Sequence, residues 1–322
     1  MRIAVLGAGG IGGYYGGRLA KAGHDVVLLA RGAHLEALQR RGLTLRTPEG
    51  ELTLPIAATA DGRGLAPVDL VLFCVKAFDT EAGARTIAPL VGSDTTVLTV
   101  QNGLDRAGAL AAALGGGAGA VLGAAVYAAL QLAGPGIVAR TGAEARITFG
   151  ERGGAPSRRT ERLAAALREA GLPHEVSSDI DRVLWEKFLF ITGIGAVTAL
   201  ARAGIGALRE SAEGRALLAA SCGEIVAVAQ AEGAPLRPEA AAAALAQSST
   251  LPGPWRSSLA RDLEEGRPLE VEALSGAVVA RGRRAGVPTP VHQTIAACLS
   301  LGRPAPASNF AVNRPARQEE TP

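Results

Sequence analysis

Lysine is nearly missing from this chain. Its basic residues total 33, yet only Lys21, Lys76 and Lys187 are lysine; the rest are arginine. Aromatic residues make up 3% and cysteines number three. Each shortage excludes something. The net charge of +3 is spread along the chain, and without clustered charge or stacking rings there is no nucleic-acid surface. Cys74, Cys222 and Cys298 lack pair spacing, which argues against a disulfide framework or a cysteine zinc site and fits a reducing cytoplasm. Histidines 24, 34, 174 and 292 show no spacing that suggests catalysis, and no metal-ligand cluster stands out. The longest apolar run, Phe188 to Ala201, falls short of the ~20 residues of a bilayer span, so no membrane association is expected. Met1 to Leu6 runs straight into a glycine motif and reads as a first strand, not a secretion signal.

What is present is a chain of 322 residues, long enough for two domains, with 48% apolar residues to fill a large core. The first half alternates strand and helix: strands at 3–6, 25–30, 68–75 and 95–100, helices at 11–22, 33–41 and 81–90. Apolar strands interleaved with helices predict a parallel sheet covered on both faces. Residues 43–54 read as a hairpin turning through Thr47-Pro48-Glu49-Gly50. Strands joined by glycine-rich turns follow from 121 to 149, then a helix at 157–170 and a short strand to Val176. Beyond Ser177-Ser178-Asp179, which offers helix N-caps, only helices are read: 180–201, 211–232, 237–248, 255–265, 270–285 and 290–300.

Gly7-Ala8-Gly9-Gly10-Ile11-Gly12 lies between a predicted strand and a predicted helix, the context a dinucleotide-binding loop requires. Gly7 permits the tight turn, Gly9 lets the backbone approach a pyrophosphate at the helix N-terminus, and Gly12 allows close helix–strand packing. Gly10 and Ile11 complete the cofactor-binding loop. The second strand ends in Arg31 where NAD-binding chains usually carry an acid, so Arg31 suits the 2′-phosphate of NADP; the alternative is a surface arginine. Lys76 and Asn102 follow the next two strands, where such sheets hold their ligands, or are plain loop residues. The fold class is therefore α/β: a Rossmann-type NADP-binding domain over 1–177, an all-helical substrate and catalytic domain over 178–302, and a Pro-rich tail over 303–322 expected to be disordered.

Lys187 lies within Val183–Leu200, a stretch apolar on every side of a helical wheel and therefore buried. Arginine keeps its proton at any working pH, whereas a desolvated lysine releases it, which suits a proton donor near neutrality. The alternatives are a lysine whose amine snorkels to water, or one paired with Glu186.

With these residues placed, the chain resembles the ketopantoate reductase family (2-dehydropantoate 2-reductases) from Met1 to about Leu301. The resemblance is carried by GAGGIGG at 7–13, Arg31, Val75-Lys76-Ala77, Gln101-Asn102-Gly103, Leu184-Trp185-Glu186-Lys187, Thr198-Ala199-Leu200, Ser257-Ser258-Leu259 and Leu269-Glu270-Val271-Glu272. It implies NADPH-dependent reduction of a 2-keto acid, ketopantoate to pantoate in pantothenate biosynthesis. By that resemblance Lys187 is the general acid, Glu270 holds or tunes it and contacts substrate, Ser258 and Asn102 bind substrate, and Lys76 contacts the cofactor. Glu270 also opens a predicted helix, where a carboxylate favours the N-terminus on its own account. Oligomeric state is open, a homodimer included.

Two positions depart from the family pattern. It carries asparagines four and eight residues after the lysine; here these are Ile191 and Gly195. On a regular helix both share the face of Lys187 and are expected to line the pocket, with Ile191 as an apolar substrate contact. A less polar 2-keto acid is thus the alternative substrate. A non-catalytic NADP-binding sensor, or an opine or 3-hydroxy acid dehydrogenase on the same architecture, are alternative functions.

Overall fold

The computed structural model describes residues 1–116 and 121–301; the expected tail at 303–322 lies outside the described residues. An eight-stranded sheet runs in the order β12-β11-β8-β7-β6-β1-β2-β5. Its strands are β1 (Arg2–Leu6), β2 (Asp25–Leu29), β5 (Ala57–Thr59), β6 (Leu70–Phe73), β7 (Thr96–Thr99), β8 (Val121–Tyr127), β11 (Arg146–Gly150) and β12 (His174–Val176). All neighbours are parallel except β11 against β8. The fully buried strands β6 and β7 have apolar side chains on both faces, as a covered parallel sheet demands. From β1 the chain builds outward through β2 and β5, then returns to β6 on the other side of β1. The crevice beyond the carboxyl ends of β1 and β6 is therefore the switch point at which such sheets take their ligands.

A single covered sheet was expected; a second sheet is found. The hairpin β3 (Leu43–Thr47)–β4 (Gly50–Leu54) pairs with β10 (Ile137–Arg140) and β9 (Leu130–Gly134) in the order β4-β3-β10-β9. It lies across α1 (Gly10–Lys21) from the main sheet. Toward the main sheet, a Cβ at Gly12 would strike the Gly7 carbonyl, and one at Gly16 would fall 2.8 Å from Leu28. Toward the second sheet, a Cβ at Gly13 would fall 2.7 Å from Val138 and one at Gly17 2.7 Å from Leu43. The spacing of four residues puts each pair on one stripe of the helix. Both sheets can thus approach the helix backbone.

The remaining helices of this half are α2 (Gly32–Arg41), α3 (Thr80–Ile87), α4 (Arg106–Ala113) and α5 (Arg158–Glu169). Neither β5 nor α4 is predicted by periodicity: β5 is three residues long, and α4 buries only Leu110. After β12 every element is helical: α6 (Ile180–Phe188), α7 (Gly195–Ala201), α8 (Ile205–Glu210), α9 (Ala212–Ala231), α10 (Ala240–Ser249), α11 (Ser258–Glu264), α12 (Ala277–Ala285) and α13 (Pro290–Ser300). They enclose a second apolar core around Phe188, Val197, Ile225 and Ile295. α6 and α7 are one continuous helix, Ile180–Ala201, joined by a π turn at Leu189–Ile194. By length and composition it would cross a membrane, but 61% of its most apolar window is buried inside the protein, as in a core helix. A second π turn, Glu272–Gly276, leads into α12.

The α1 packing generates a pair of opposite expectations. Gly12→Ala forces a side chain against backbone and should destabilise the fold by ~1–3 kcal/mol or more. Gly108→Ala, inside α4 with nothing within 4 Å of the new Cβ, should stabilise it by ~0.5–1 kcal/mol. Urea denaturation midpoints of the two variants against the parent give both signs.

Candidate active site

At the end of β1 the chain turns through Gly7, whose φ of +88° is a left-handed conformation. Gly9 caps α1, and a Cβ there would meet nothing within 4 Å, so this flank of the loop is open. A Cβ on Gly10 would fall 2.9 Å from the backbone of Leu130 and Gln131, so β9 roofs the loop on the other side. Ile11 packs half-buried against the sheet core. The first turn of α1 holds no acidic side chain, leaving its N–H groups and dipole free to face an anion. An open glycine cradle at a helix start fits a dinucleotide pyrophosphate.

Arg31 ends the β2 segment and caps α2. Although Arg31 stands where an acid is usual, the charges of Asp79 and Asp61 act on it from other segments. Burial weakens the arginine's hold on its proton, and those two charges oppose that effect.

Lys76 follows β6 and precedes a 3-10 turn, Ala77–Asp79. Its Nζ donates to Asp262 Oδ2 at 2.9 Å and to Glu270 Oε2 at 3.1 Å. Burial works against its charge, but Glu270 and Asp262 outweigh burial and raise its pKa. The Ala77 N–H donates to the other Glu270 oxygen, Oε1, at 3.0 Å. Glu270 therefore binds the strand-end segment directly; its influence on Lys187 is one of charge. Both carboxylates are buried, and Arg267 Nε holds Asp262 Oδ1 at 2.8 Å. Behind Lys76, buried Gln101 donates to the Lys76 carbonyl at 3.1 Å and to Thr80 Oγ1 at 2.9 Å, while accepting from Thr99 Oγ1 at 3.2 Å. Asn102, next in sequence, is half-buried.

Lys187 is buried on α6. Burial pushes its pKa down to about 8, and the Glu270 charge resists that fall. The π turn corrects the helical-wheel argument that begins at this lysine. On a regular helix, eight residues overshoot two turns by about 80°. A turn widened by one residue takes up most of that overshoot, so Gly195 lies nearer the Lys187 line than the wheel predicts. Gly195 is nevertheless no open pocket wall. A Cβ there would fall 2.9 Å from Ser257 Cβ, and its carbonyl accepts from Ser257 Oγ at 2.8 Å. Ser257 fills the place where an asparagine would extend. Ile191 is half-buried at the edge of the helical core. Ser258 is exposed at the start of α11, whereas buried Ser257 caps that helix.

The structure thus gathers Lys76, Lys187 and Glu270 at one junction, where sheet edge meets helical half. Sequence reasoning missed Asp262, the second carboxylate on Lys76; an acid beside Leu263 and two residues from Ala260 on a short helix was the available signal. It also missed the Gln101 bonds to the Lys76 carbonyl and the Thr80 hydroxyl, both distant in sequence.

The family model described as Ketopantoate reductase PanE/ApbA matches residues 3–154, and the model Ketopantoate reductase PanE/ApbA C terminal matches 179–302. A 2-dehydropantoate 2-reductase of Halobacterium salinarum is 35% identical, the match covering 94% of this chain and 99% of that one. Another, of Mesorhizobium japonicum, is 33% identical over 94% of this chain and 97% of that one. A crystal structure of a PanE/ApbA family ketopantoate reductase from Ralstonia eutropha superposes with a TM-score of 0.85 at 34% identity, covering 93% of this chain and 97% of the other.

The scarcity of lysine makes the electrostatics directly measurable, because lysine labelled at Cε gives signals from three residues only. The Lys187 signal should titrate near pH 8. In Glu270→Gln it should titrate lower still, since the charge that favours the ammonium is gone. An unchanged or higher midpoint in that variant would show that Glu270 does not act on Lys187.

Proposed function

The chain belongs to the ketopantoate reductase family, and from that premise we propose that it is a cytoplasmic NADPH-dependent reductase of 2-keto acids, with ketopantoate as leading substrate and pantothenate biosynthesis as its setting. The observation that carries the reading is Lys187, a buried amine held near neutrality beside a buried carboxylate. Such an amine is charged below about pH 8 and releases its proton readily.

Gly7, Gly9, Gly10, Ile11 and Gly12 hold the dinucleotide, Arg31 favours its 2′-phosphate, and Lys76 and Asn102 lie along its path at the ends of β6 and β7. When bound, the nicotinamide supplies the hydride. Lys187 donates its proton to the substrate carbonyl oxygen and, while still charged, offsets the negative charge that develops there. Glu270 keeps the ammonium form populated and contacts substrate. Asn102 and Ser258 orient the substrate, and Ile191 presents an apolar surface to it. Residues 178–302 form the catalytic domain in this reading.

A general acid must be protonated to act, so kcat/KM for the keto acid should be level below pH 8 and fall as pH rises through about 8. Lys187→Ala and Lys187→Arg should both lose ~100- to 10,000-fold in kcat with NADPH binding retained, because arginine keeps the charge without releasing the proton. An arginine variant with most of the parent's turnover removes Lys187 from the acid role.

A second reading, preference for a less polar 2-keto acid, is favoured by Ile191. Apolar surface at that position offers a substrate hydroxyl nothing in exchange for its hydration. The ratio of kcat/KM for ketopantoate over 2-ketoisovalerate should be small, and Ile191→Asn should raise it. A ratio strongly favouring ketopantoate in the parent overturns this second reading.

A further inference from the structure

The glycine loop is braced from the side by a histidine. His34 is half-buried in the first turn of α2. Its Nδ1 accepts the backbone N–H of Gly136, in the β9–β10 turn, at 2.9 Å, and its Nε2 lies 2.8 Å from the carbonyl oxygen of Ala8. A ring nitrogen that accepts a peptide N–H carries no proton. The single proton of the neutral ring is therefore on Nε2, and it is donated to Ala8. Two backbone contacts of opposite sense thus select one tautomer.

Ala8 is the second residue of the glycine loop. In a planar trans peptide the carbonyl and the following N–H point in opposite directions. Holding the Ala8 carbonyl on the His34 side turns the Gly9 N–H away from it, at the residue whose flank is open. A flipped Ala8–Gly9 peptide would instead present a carbonyl dipole of the wrong sign to an anion in the cradle. We propose that His34 is a positioning residue for cofactor binding: its neutral ring locks the Ala8–Gly9 peptide in the orientation that receives the dinucleotide pyrophosphate. This rests on the dinucleotide-binding reading of the loop.

Protonation of Nδ1 would set two donors, Nδ1–H and Gly136 N–H, against each other. Burial keeps the ring pKa below its ordinary 6.5, although the Ala8 bond favours the charged form. The charged groups on the elements packed against His34 are Arg31, Glu36, Arg40 and Arg41 of the α2 segment, Arg18 and Lys21 of α1, and Arg140 of β10. The arginines keep their charge throughout, and Glu36 is exposed.

The test is NADPH affinity, read by fluorescence titration between about pH 8 and pH 5, for the parent, His34→Gln and His34→Leu. Glutamine carries an acceptor oxygen and a donor nitrogen on one carbon and does not titrate. His34→Gln should keep most of the parent's affinity at the upper pH and lose less of it in acid. His34→Leu should bind ~10-fold more weakly throughout, the scale of one lost hydrogen bond and a freed peptide. In turnover, His34→Leu should raise KM for NADPH and leave kcat near the parent's. Leucine binding as tightly as histidine, or glutamine binding as weakly as leucine, overturns the proposal. If the parent binds no nicotinamide dinucleotide, the proposal and the dinucleotide reading fall together. If binding follows the pattern but no keto acid is reduced, the function alone falls.

Discussion

Among the ion pairs that join the two halves of this protein, those of Lys76 lie at the candidate site. Lys76 stands at the carboxyl edge of the sheet and reaches two buried carboxylates of the helical half, Asp262 and Glu270. Its own side chain remains 41% exposed, so water screens the pair and tempers its contribution to stability. The carboxylates have no such relief, and removing their cation would leave buried charge uncompensated. Glu270 also takes the Ala77 N–H, so the strand-end segment is held at two points. From that position its charge resists the loss of the Lys187 proton that burial favours. Strand end, domain contact and the buried Lys187 amine are thus electrostatically one unit.

Much of the fold was legible because the signals were local. The Gly7–Gly12 loop, the switch from strand–helix alternation to helices near Ser178, and the apolar stretch around Lys187 follow from period and spacing alone. Boundaries drifted where burial decides them: 68–75 contracted to Leu70–Phe73, and 255–265 to Ser258–Glu264. The second sheet was not legible. Its strands β3 and β10 pair across some ninety residues of sequence, and nothing in either announces the other. The π turns escaped as well, since a helical wheel assumes the regularity they break.

The candidate site divides along the same line. Glu270 entered through the family resemblance, and Lys187 announced itself by residue type in an unusual setting, a charge within apolar sequence. His34, Gln101 and Ser257 did not, because they bond to the backbone carbonyls or amides of residues far away in the chain. Ser257 shows why a family pattern read by letters misleads: Gly195 was expected to line the pocket, yet the neighbouring Ser257 side chain already occupies the space beside it.

The glycine stripes of α1 have a consequence for how this chain can change over time. The composition is heavily weighted to alanine and glycine, and across most helical surfaces the two are interchangeable at small cost. Along α1 they are not, because two sheets rest on its main chain and a single methyl group has nowhere to go. Drift that exchanges one small residue for the other elsewhere must stop at this helix. Here the smallest residue is under the strictest constraint.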